Sequence, residues 1–295
     1  MKPAKFEYHD PHSIEETLDL LKQYGWDAKI LAGGQSLVPT LNFRLASPKV
    51  IIDINKVKDL DYVQETDGKL AIGAMTRQTT LELSEMVRSK CGLLSDATEL
   101  IGHPQTRNRG TVGGSIVHAD PTAELTAIAL ALDAEMVIVS TEGKRTDSAD
   151  DFFISVMTTN LEPEEMLVEV RFPVLPSRTG WAFEEFALRH GDFAVVGVTT
   201  TITLDADEVC TDARLAAIGV DETAFRDSSV EEILKGEKIT DLVLQEVGDK
   251  LSEKVDPFDD LHASAAQRKH LVGALAKRSL QKAKTMAVHN SKRKK

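Results

Sequence analysis

Two glycine pairs constrain this 295-residue chain more than any other feature. They lie in Ala32-Gly33-Gly34-Gln35-Ser36 and in Thr111-Val112-Gly113-Gly114-Ser115. Paired glycines admit positive φ and let a ligand approach the backbone closely. Successive N–H groups in such turns are expected to point into one concavity and bind an anion. Ser36 and Ser115 add hydroxyl donors, and Gln35 adds an amide. Facing each other, the two turns suit the paired phosphates of a dinucleotide. The first precedes a helical stretch, whose positive end adds to the field. Neither is a Walker A loop, since no Lys-Ser or Lys-Thr follows, and neither reads GxGxxG. A glycine pair alone also makes a tight turn with no ligand. The residues by themselves therefore read as a dinucleotide or phosphate site.

The rest of the chain reads as α+β. Ser13 and Glu16 form a capping-box pattern ahead of Ile14, Leu18 and Leu21 on one helical face, with Gly25 placed to stop the helix. Ala28 to Leu31 and Val50 to Ile54 read as strands around the first glycine turn and its helix, in which Pro39 is tolerated near the start. Further strands are predicted at 69–75, 135–140 and 166–172, with helices around 80–88, 93–101 and 122–132. Gly102 to Arg109 reads as an irregular polar stretch. The Pro- and Gly-containing segment Pro173 to Gly180 is taken as a domain boundary. Beyond it, 181–188, 194–204 and 214–220 form three strands of one antiparallel sheet, closed by helices, the last starting near His262. The domains are thus 1–176 and 177–287, with a disordered basic tail over 288–295. Trp26 and Trp181 are expected to serve packing.

A net charge of −12 argues against general nucleic-acid binding. A diphosphate remains possible because backbone N–H groups hold one without lysine. The only two cysteines, Cys91 and Cys210, are too few for an iron–sulfur cluster and suggest a reducing compartment. No run of about 20 apolar residues offers a membrane span, and the N-terminus lacks a signal peptide's apolar core. The chain is expected to be cytoplasmic. His118 and Asp120, two residues apart, do not make a metal site. They are read as loop hydrogen-bonding groups, with Asp120-Pro121 fixing the approach to the next helix.

The combination AGGQSL…TVGGSIVHADPTAEL resembles the FAD-binding medium subunit of the molybdenum hydroxylase family. That family includes aerobic carbon monoxide dehydrogenase and the dehydrogenases of nicotine-type and caffeine-type heterocycles. The flavin domain of xanthine dehydrogenase is similar too. The stretches MKPAKFEYHDP, LNFRLASPKVIIDI, LRHGDFAVVGV and DDLHASAAQRKHL fit as well, so the likeness spans nearly the whole chain. It implies a two-part FAD-binding domain of the PCMH type followed by a small C-terminal domain. It also implies that Ala32, Gly33, Gly34, Gln35, Ser36 and Leu37, with Thr111, Val112, Gly113, Gly114 and Ser115, wrap a non-covalent FAD diphosphate. Glu124 would contact the cofactor, or else serve simply as a first-turn carboxylate at its helix. Ile101 and Leu167 would flank the isoalloxazine ring, though Leu167 also suits ordinary core.

Phe193 stands where several relatives have tyrosine. Glu184 stands near a lysine position of xanthine dehydrogenase relatives, and an acid there cannot make the same contact. Arg107 and Arg109 are read as diphosphate partners, a docking patch or a solvated loop. The resemblance further implies an electron-transfer subunit with no catalytic side chain and no metal of its own. An iron–sulfur small subunit would feed it from [2Fe–2S] clusters, and a molybdopterin large subunit would oxidise the substrate, an N-heterocycle or carbon monoxide. An external acceptor would take the electrons. Two alternatives stay open: a free-standing FAD oxidase, and a non-enzymatic assembly protein that keeps the fold.

Overall fold

A computed structural model describes residues 1–292 of the chain. The N-terminal layer is a parallel sheet built from β1 (Glu7–His9), α1 (Ile14–Tyr24), β2 (Ala28–Leu31), α2 (Leu37–Asn42) and β3 (Val50–Asp53), in strand order β1-β3-β2. The Ser13 hydroxyl accepts from the Glu16 N–H at 3.1 Å and caps α1. The carboxylate of Glu16 reaches back to the N–H of His12 at 2.7 Å, so the reciprocal half of the box falls one residue early. Leu18 and Leu21 of α1 then pack over Val50 and Ile52.

The second layer begins with the hairpin β4 (Val63–Thr66) and β5 (Lys69–Gly73). Helices α3 (Gln78–Leu83), α4 (Glu85–Lys90), α5 (Gly92–Thr98), α6 (Pro104–Arg107), α7 (Val112–His118) and α8 (Glu124–Ala131) follow. The chain returns through β6 (Glu135–Ser140), β7 (Gly143–Ser148), α9 (Ala149–Phe152), β8 (Phe153–Ser155), β9 (Thr158–Thr159) and β10 (Met166–Pro173). The main sheet is antiparallel, in order β4-β5-β10-β6-β7. Its central strands bury Leu70, Ile72, Ile138 and Val170 against Leu125 and Ile128 of α8 in one core. α8 is buried all round, as expected of a helix between two packed layers.

The C-terminal part is the antiparallel sheet β11 (Thr179–Phe186), β12 (Val196–Leu204) and β13 (Cys210–Ile218), then α10 (Ser228–Glu231), α11 (Asp241–Lys254) and α12 (Ala265–Lys292). The strand alternation divides the sheet's faces. Trp181, Phe183, Ala216 and Ile218 join the main core, whereas Ala182, Val198, Leu215 and Ala217 join Leu275 and Leu280 of α12 in a second one.

Three expectations need correction. The polar stretch 102–109 is not wholly irregular, because Pro104 at a helix start nucleates α6. Trp26 serves no packing, being 80% exposed, whereas Trp181 donates to Asp96 at 2.8 Å and packs against Gly92. Residues 288–292 are helical rather than a disordered tail. Ala283 and Ala287 are buried, and Asn290 donates to the carbonyl of Thr179 at 3.0 Å, which ties the end of α12 to β11. Arg293 to Lys295, the rest of the expected tail, lie outside the described residues.

Candidate flavin site

The first glycine segment leaves the C-terminal end of parallel strand β2 and runs into α2. Gly34 has φ +73°, a conformation a side chain rarely adopts. Val38 N–H bonds back to the Gly34 carbonyl at 3.1 Å and opens the helix. The backbone N–H groups of Gly33, Gly34, Gln35, Ser36 and Leu37 have no hydrogen-bond acceptor among the described residues. The Ser36 hydroxyl is equally free of partners there, and Gln35 is exposed. The segment thus carries five backbone donors without a protein acceptor, as an anion-binding turn requires.

The second glycine segment is built differently. Thr111 caps α7, its hydroxyl accepting from Gly114 N–H at 3.0 Å, so Gly113 and Gly114 lie inside a helix and neither has positive φ. The N–H of Val112 donates to Thr76 at 3.0 Å, that of Gly113 to Ala74 at 2.8 Å and that of Ser115 to Thr111 at 3.1 Å. A second nest of free N–H groups is therefore not present; the helix and the β5–α3 connection consume them. Gly113 is required for close packing: a Cβ there would fall 2.6 Å from the Ala74 Cβ and 2.8 Å from its carbonyl oxygen. What α7 offers a ligand is the half-exposed surface of Gly114 and the Ser115 hydroxyl, which has no partner among the described residues.

The two segments meet. A Cβ on Gly33 would come 2.5 Å from the carbonyl oxygen of Arg109 and 2.8 Å from the Cα of Gly110, while one on Gly114 would come 3.6 Å from the Ala32 Cβ. A polar frame that sequence reasoning missed clamps them from behind. Asn55 donates to the Ala32 carbonyl at 2.9 Å, and Arg77 donates to Asn55 at 2.7 Å and to the Arg109 carbonyl. Arg77 is held below the usual arginine range by burial and by the neighbouring Arg109. No local pattern marks this frame, since its members come from separate loops.

The other expected site residues lie on separate elements: Ile101 follows α5, Glu124 opens α8 and Leu167 is on β10. Ile101 is half-buried against the main core. Leu167 on β10 is 3% exposed and belongs to that core. Glu124, in the first turn of α8, is 7% exposed; burial raises it to about 8, and Glu185 and Asp120 add to the shift. Glu185 on β11 is raised to about 7 by burial, and its Oε2 has no partner. Glu184 points the other way, paired with Arg278 at 3.0 Å and with Lys282 of α12. Asp120 accepts from the N–H of Thr122 at 2.9 Å and organises the approach to α8, as the sequence suggests. Its other oxygen is 4.0 Å from His118 Nε2. Among the described residues no group of three or more His, Cys, Asp or Glu side chains is placed to hold a metal.

The arginines separate cleanly. Arg107 is buried, paired with Glu82 at 2.7 Å, and donates to the carbonyls of Ile101 and Gly102 at 3.2 Å, so it is neither a diphosphate partner nor a docking group. Arg109 is exposed beside the glycine segments. Phe193 is 70% exposed on the connection between β11 and β12.

Residues 4–175 match the family described as FAD binding domain in molybdopterin dehydrogenase, and residues 181–283 match the CO dehydrogenase flavoprotein C-terminal domain. This chain belongs to the FAD-binding medium subunits of the molybdenum hydroxylases. It is 40% identical to the 6-hydroxypseudooxynicotine dehydrogenase complex subunit alpha of Paenarthrobacter nicotinovorans, over 96% of each chain. It is 38% identical to the carbon monoxide dehydrogenase medium chain of Hydrogenophaga pseudoflava, over 95% of this chain and 97% of that one. The solved carbon monoxide dehydrogenase of the same organism superposes with a TM-score of 0.94 at 37% identity, covering 97% of this chain and 99% of that one. Membership fixes the fold class as α+β, with a FAD-binding domain and a C-terminal domain of the CO dehydrogenase flavoprotein kind. The residues fit that cofactor. The Ala32–Leu37 segment presents N–H donors without a protein acceptor, and the Ser36 and Ser115 hydroxyls have no partner among the described residues. No helix among the described residues is long and apolar enough to cross a membrane.

Proposed function

We propose that this chain binds FAD non-covalently as the electron-transfer subunit of a heterotrimeric molybdenum hydroxylase. It takes electrons from [2Fe–2S] clusters of a small subunit and passes them to an external acceptor, while a molybdopterin large subunit oxidises the substrate. The observation that carries the reading is the meeting of the Ala32–Leu37 segment, with its five free N–H groups, and the N-terminal turn of α7. In this reading the Gly33–Leu37 N–H groups and the Ser36 and Ser115 hydroxyls hold the diphosphate. Glu124 bonds a polar part of the cofactor. Ile101 offers an apolar side chain to the ring, and Leu167 backs it from the core. Flavin supplies both one-electron and hydride chemistry when bound, so no acid or base from the protein is needed. The protein's part is to place the ring, exclude water and set the local field.

The division into 1–176 and 177–287 follows the same reading, with the first unit holding FAD and the second completing the cleft. Cys91 and Cys210 are buried in different cores, so they cannot jointly hold an iron–sulfur cluster. Cluster chemistry is accordingly assigned to a partner in this reading. Named relatives act on a nicotine derivative, on caffeine and on carbon monoxide. An N-heterocycle or carbon monoxide is accordingly the substrate class we assign to the complex, which is expected to work in the cytoplasm.

Titration with FAD tests the binding, and acid precipitation tests its character. Saturable uptake with release of intact FAD is expected. Absence of uptake would favour an assembly protein, and flavin left on the precipitate would favour a covalent oxidase. Electron routing is tested by adding the cognate iron–sulfur and molybdenum subunits. The chain alone should oxidise no heterocycle or carbon monoxide, and the reconstituted trimer should reduce an external acceptor.

A further inference from the structure

Arg268 of α12 is distant in sequence from both glycine segments, yet its guanidinium, 4% exposed, sits where three stretches of chain come together. Nη1 donates to the carbonyl of Val195 and, at 2.8 Å, to that of Gly219. Nη2 donates to Asp260 at 2.7 Å, and the Phe258 ring lies 5.8 Å from the guanidinium carbon. The two carbonyl partners lead toward the proposed cleft. Val195 N–H donates to the Phe186 carbonyl at 2.7 Å, which closes the loop of residues 187–194 next to the strand end that carries Glu185. Within that loop Gly191 rests on the His103 ring, where a Cβ would fall 2.4 Å from Cε1, two residues beyond Ile101. Gly219, at φ +72°, donates its N–H to the Pro121 carbonyl at 2.8 Å. Pro121 belongs to the turn that launches α8 and Glu124.

One cation of the C-terminal domain thus fixes both the loop on the Ile101 side and the turn on the Glu124 side. The planar fork matters, because one nitrogen serves two carbonyls while the other meets the balancing carboxylate. Lysine would keep the charge but lose that geometry.

We propose that Arg268 is a positioning residue of the flavin site, setting the 187–194 loop and the Asp120–Thr122 turn relative to each other and thereby the surroundings of the bound ring. The inference rests on the FAD reading above.

The test uses the full chain loaded with FAD and compares Arg268→Lys and Arg268→Met with Ser279→Ala. Ser279 is buried on the same helix but bonds Thr200 and Ala182, away from the loop and the turn. Thermal midpoint, FAD dissociation constant, the shape of the visible flavin band and the flavin reduction potential are measured for each. In the folded Arg268 variants the dissociation constant should rise about tenfold, because part of the binding free energy then goes into ordering the loop and the turn. The band and the potential should shift as well, while Ser279→Ala loses thermal stability and keeps a wild-type flavin. Should Arg268→Met fail to fold, Arg268→Lys decides, because it retains the buried charge. Wild-type flavin properties in a folded Arg268 variant would overturn the proposal. Equal flavin changes in Ser279→Ala would overturn it too, by showing a general effect of destabilisation. A wild-type chain that takes up no FAD brings down the FAD reading and this inference together, and the wild-type titration comes first so that the two failures are distinguished.

Discussion

Gly33 packs its α-carbon against the backbone of Gly110, with room for no Cβ between them: an added methyl would lie 2.8 Å from the Gly110 Cα and 2.5 Å from the Arg109 oxygen. The two glycine segments are thus held together by backbone contact. Gly33→Ala should push the segments apart, at an overpacking cost of about 1–3 kcal/mol, and should weaken FAD binding as well. Thermal melts and flavin titration check both. A variant that melts and binds FAD like wild type would show that the contact is slack.

Gly113 and Gly114 should respond unequally, although they are neighbours. A Cβ on Gly113 meets Ala74 Cβ at 2.6 Å and its backbone at 2.8 and 2.9 Å; one on Gly114 meets only the Thr111 hydroxyl, at 2.7 Å, among close neighbours. The backbone of Ala74 cannot yield, so Gly113→Ala should cost stability first. Displacing the Thr111 hydroxyl costs about 1 kcal/mol of N-cap stabilisation, which the better helix propensity of alanine offsets by about the same amount, so Gly114→Ala should fold with near-native stability. Gly114→Val should fold but bind FAD poorly, because the branched side chain projects over the half-exposed surface beside Ala32. The reason is crowding at the site, since φ at Gly114 is not positive. Comparing melting and flavin affinity across the three variants separates the effects. Wild-type affinity in Gly114→Val would remove this face from the site.

The glycine residues themselves were legible in the sequence, but their distinct jobs were not. Gly34 needs its dihedral freedom, and Gly113 needs only to be small, because it faces Ala74 from a helix whose N–H groups are already spent. A GG pair reads the same in both settings. Periodicity located β2, β3, β10 and the C-terminal sheet well, since their apolar runs face packed layers. It did not reveal the edge strands β4 and β7, whose exposed, polar residues carry no such pattern. The Asn55–Arg77–Ala32 frame was likewise invisible, because only tertiary contact unites its members. Arg107 looked like a surface cation in a polar loop; its burial depends on Glu82, on a helix well upstream.

That Arg107–Glu82 pair yields a prediction of its own. Both side chains are largely buried, at 8% and 20% exposure, and the guanidinium also satisfies the carbonyls of Ile101 and Gly102. Arg107→Met leaves a carboxylate without its partner and two carbonyls unsatisfied, at a cost of about 3–5 kcal/mol. The double variant Arg107→Met, Glu82→Met should recover part of that loss, since no lone charge then remains buried. Urea unfolding of the wild type, both single variants and the double variant measures the coupling. Strict additivity would mean that the ion pair contributes nothing beyond its separate side chains.

Glu124 should make the FAD-free chain less stable as pH rises. Burial lifts its folded-state value to about 8, well above the ordinary carboxylate range, with Glu185 and Asp120 acting in the same direction. The folded protein therefore holds a proton that the unfolded chain releases at lower pH. Between those two values the unfolded state binds fewer protons, so unfolding is favoured as protons are withdrawn. The stability associated with protonated Glu124 is fully present below the unfolded value and is lost as pH climbs through about 8. For one group the steepest slope is about 1.4 kcal/mol per pH unit. Glu185, raised to about 7, pulls the same way over the lower part of that window. Urea midpoints measured from pH 5 to pH 9 should fall with pH in the wild type and fall less in Glu124→Gln, whose neutral amide has nothing to ionise. A wild-type profile as flat as that of Glu124→Gln would show that Glu124 ionises normally and that solvent reaches its carboxylate.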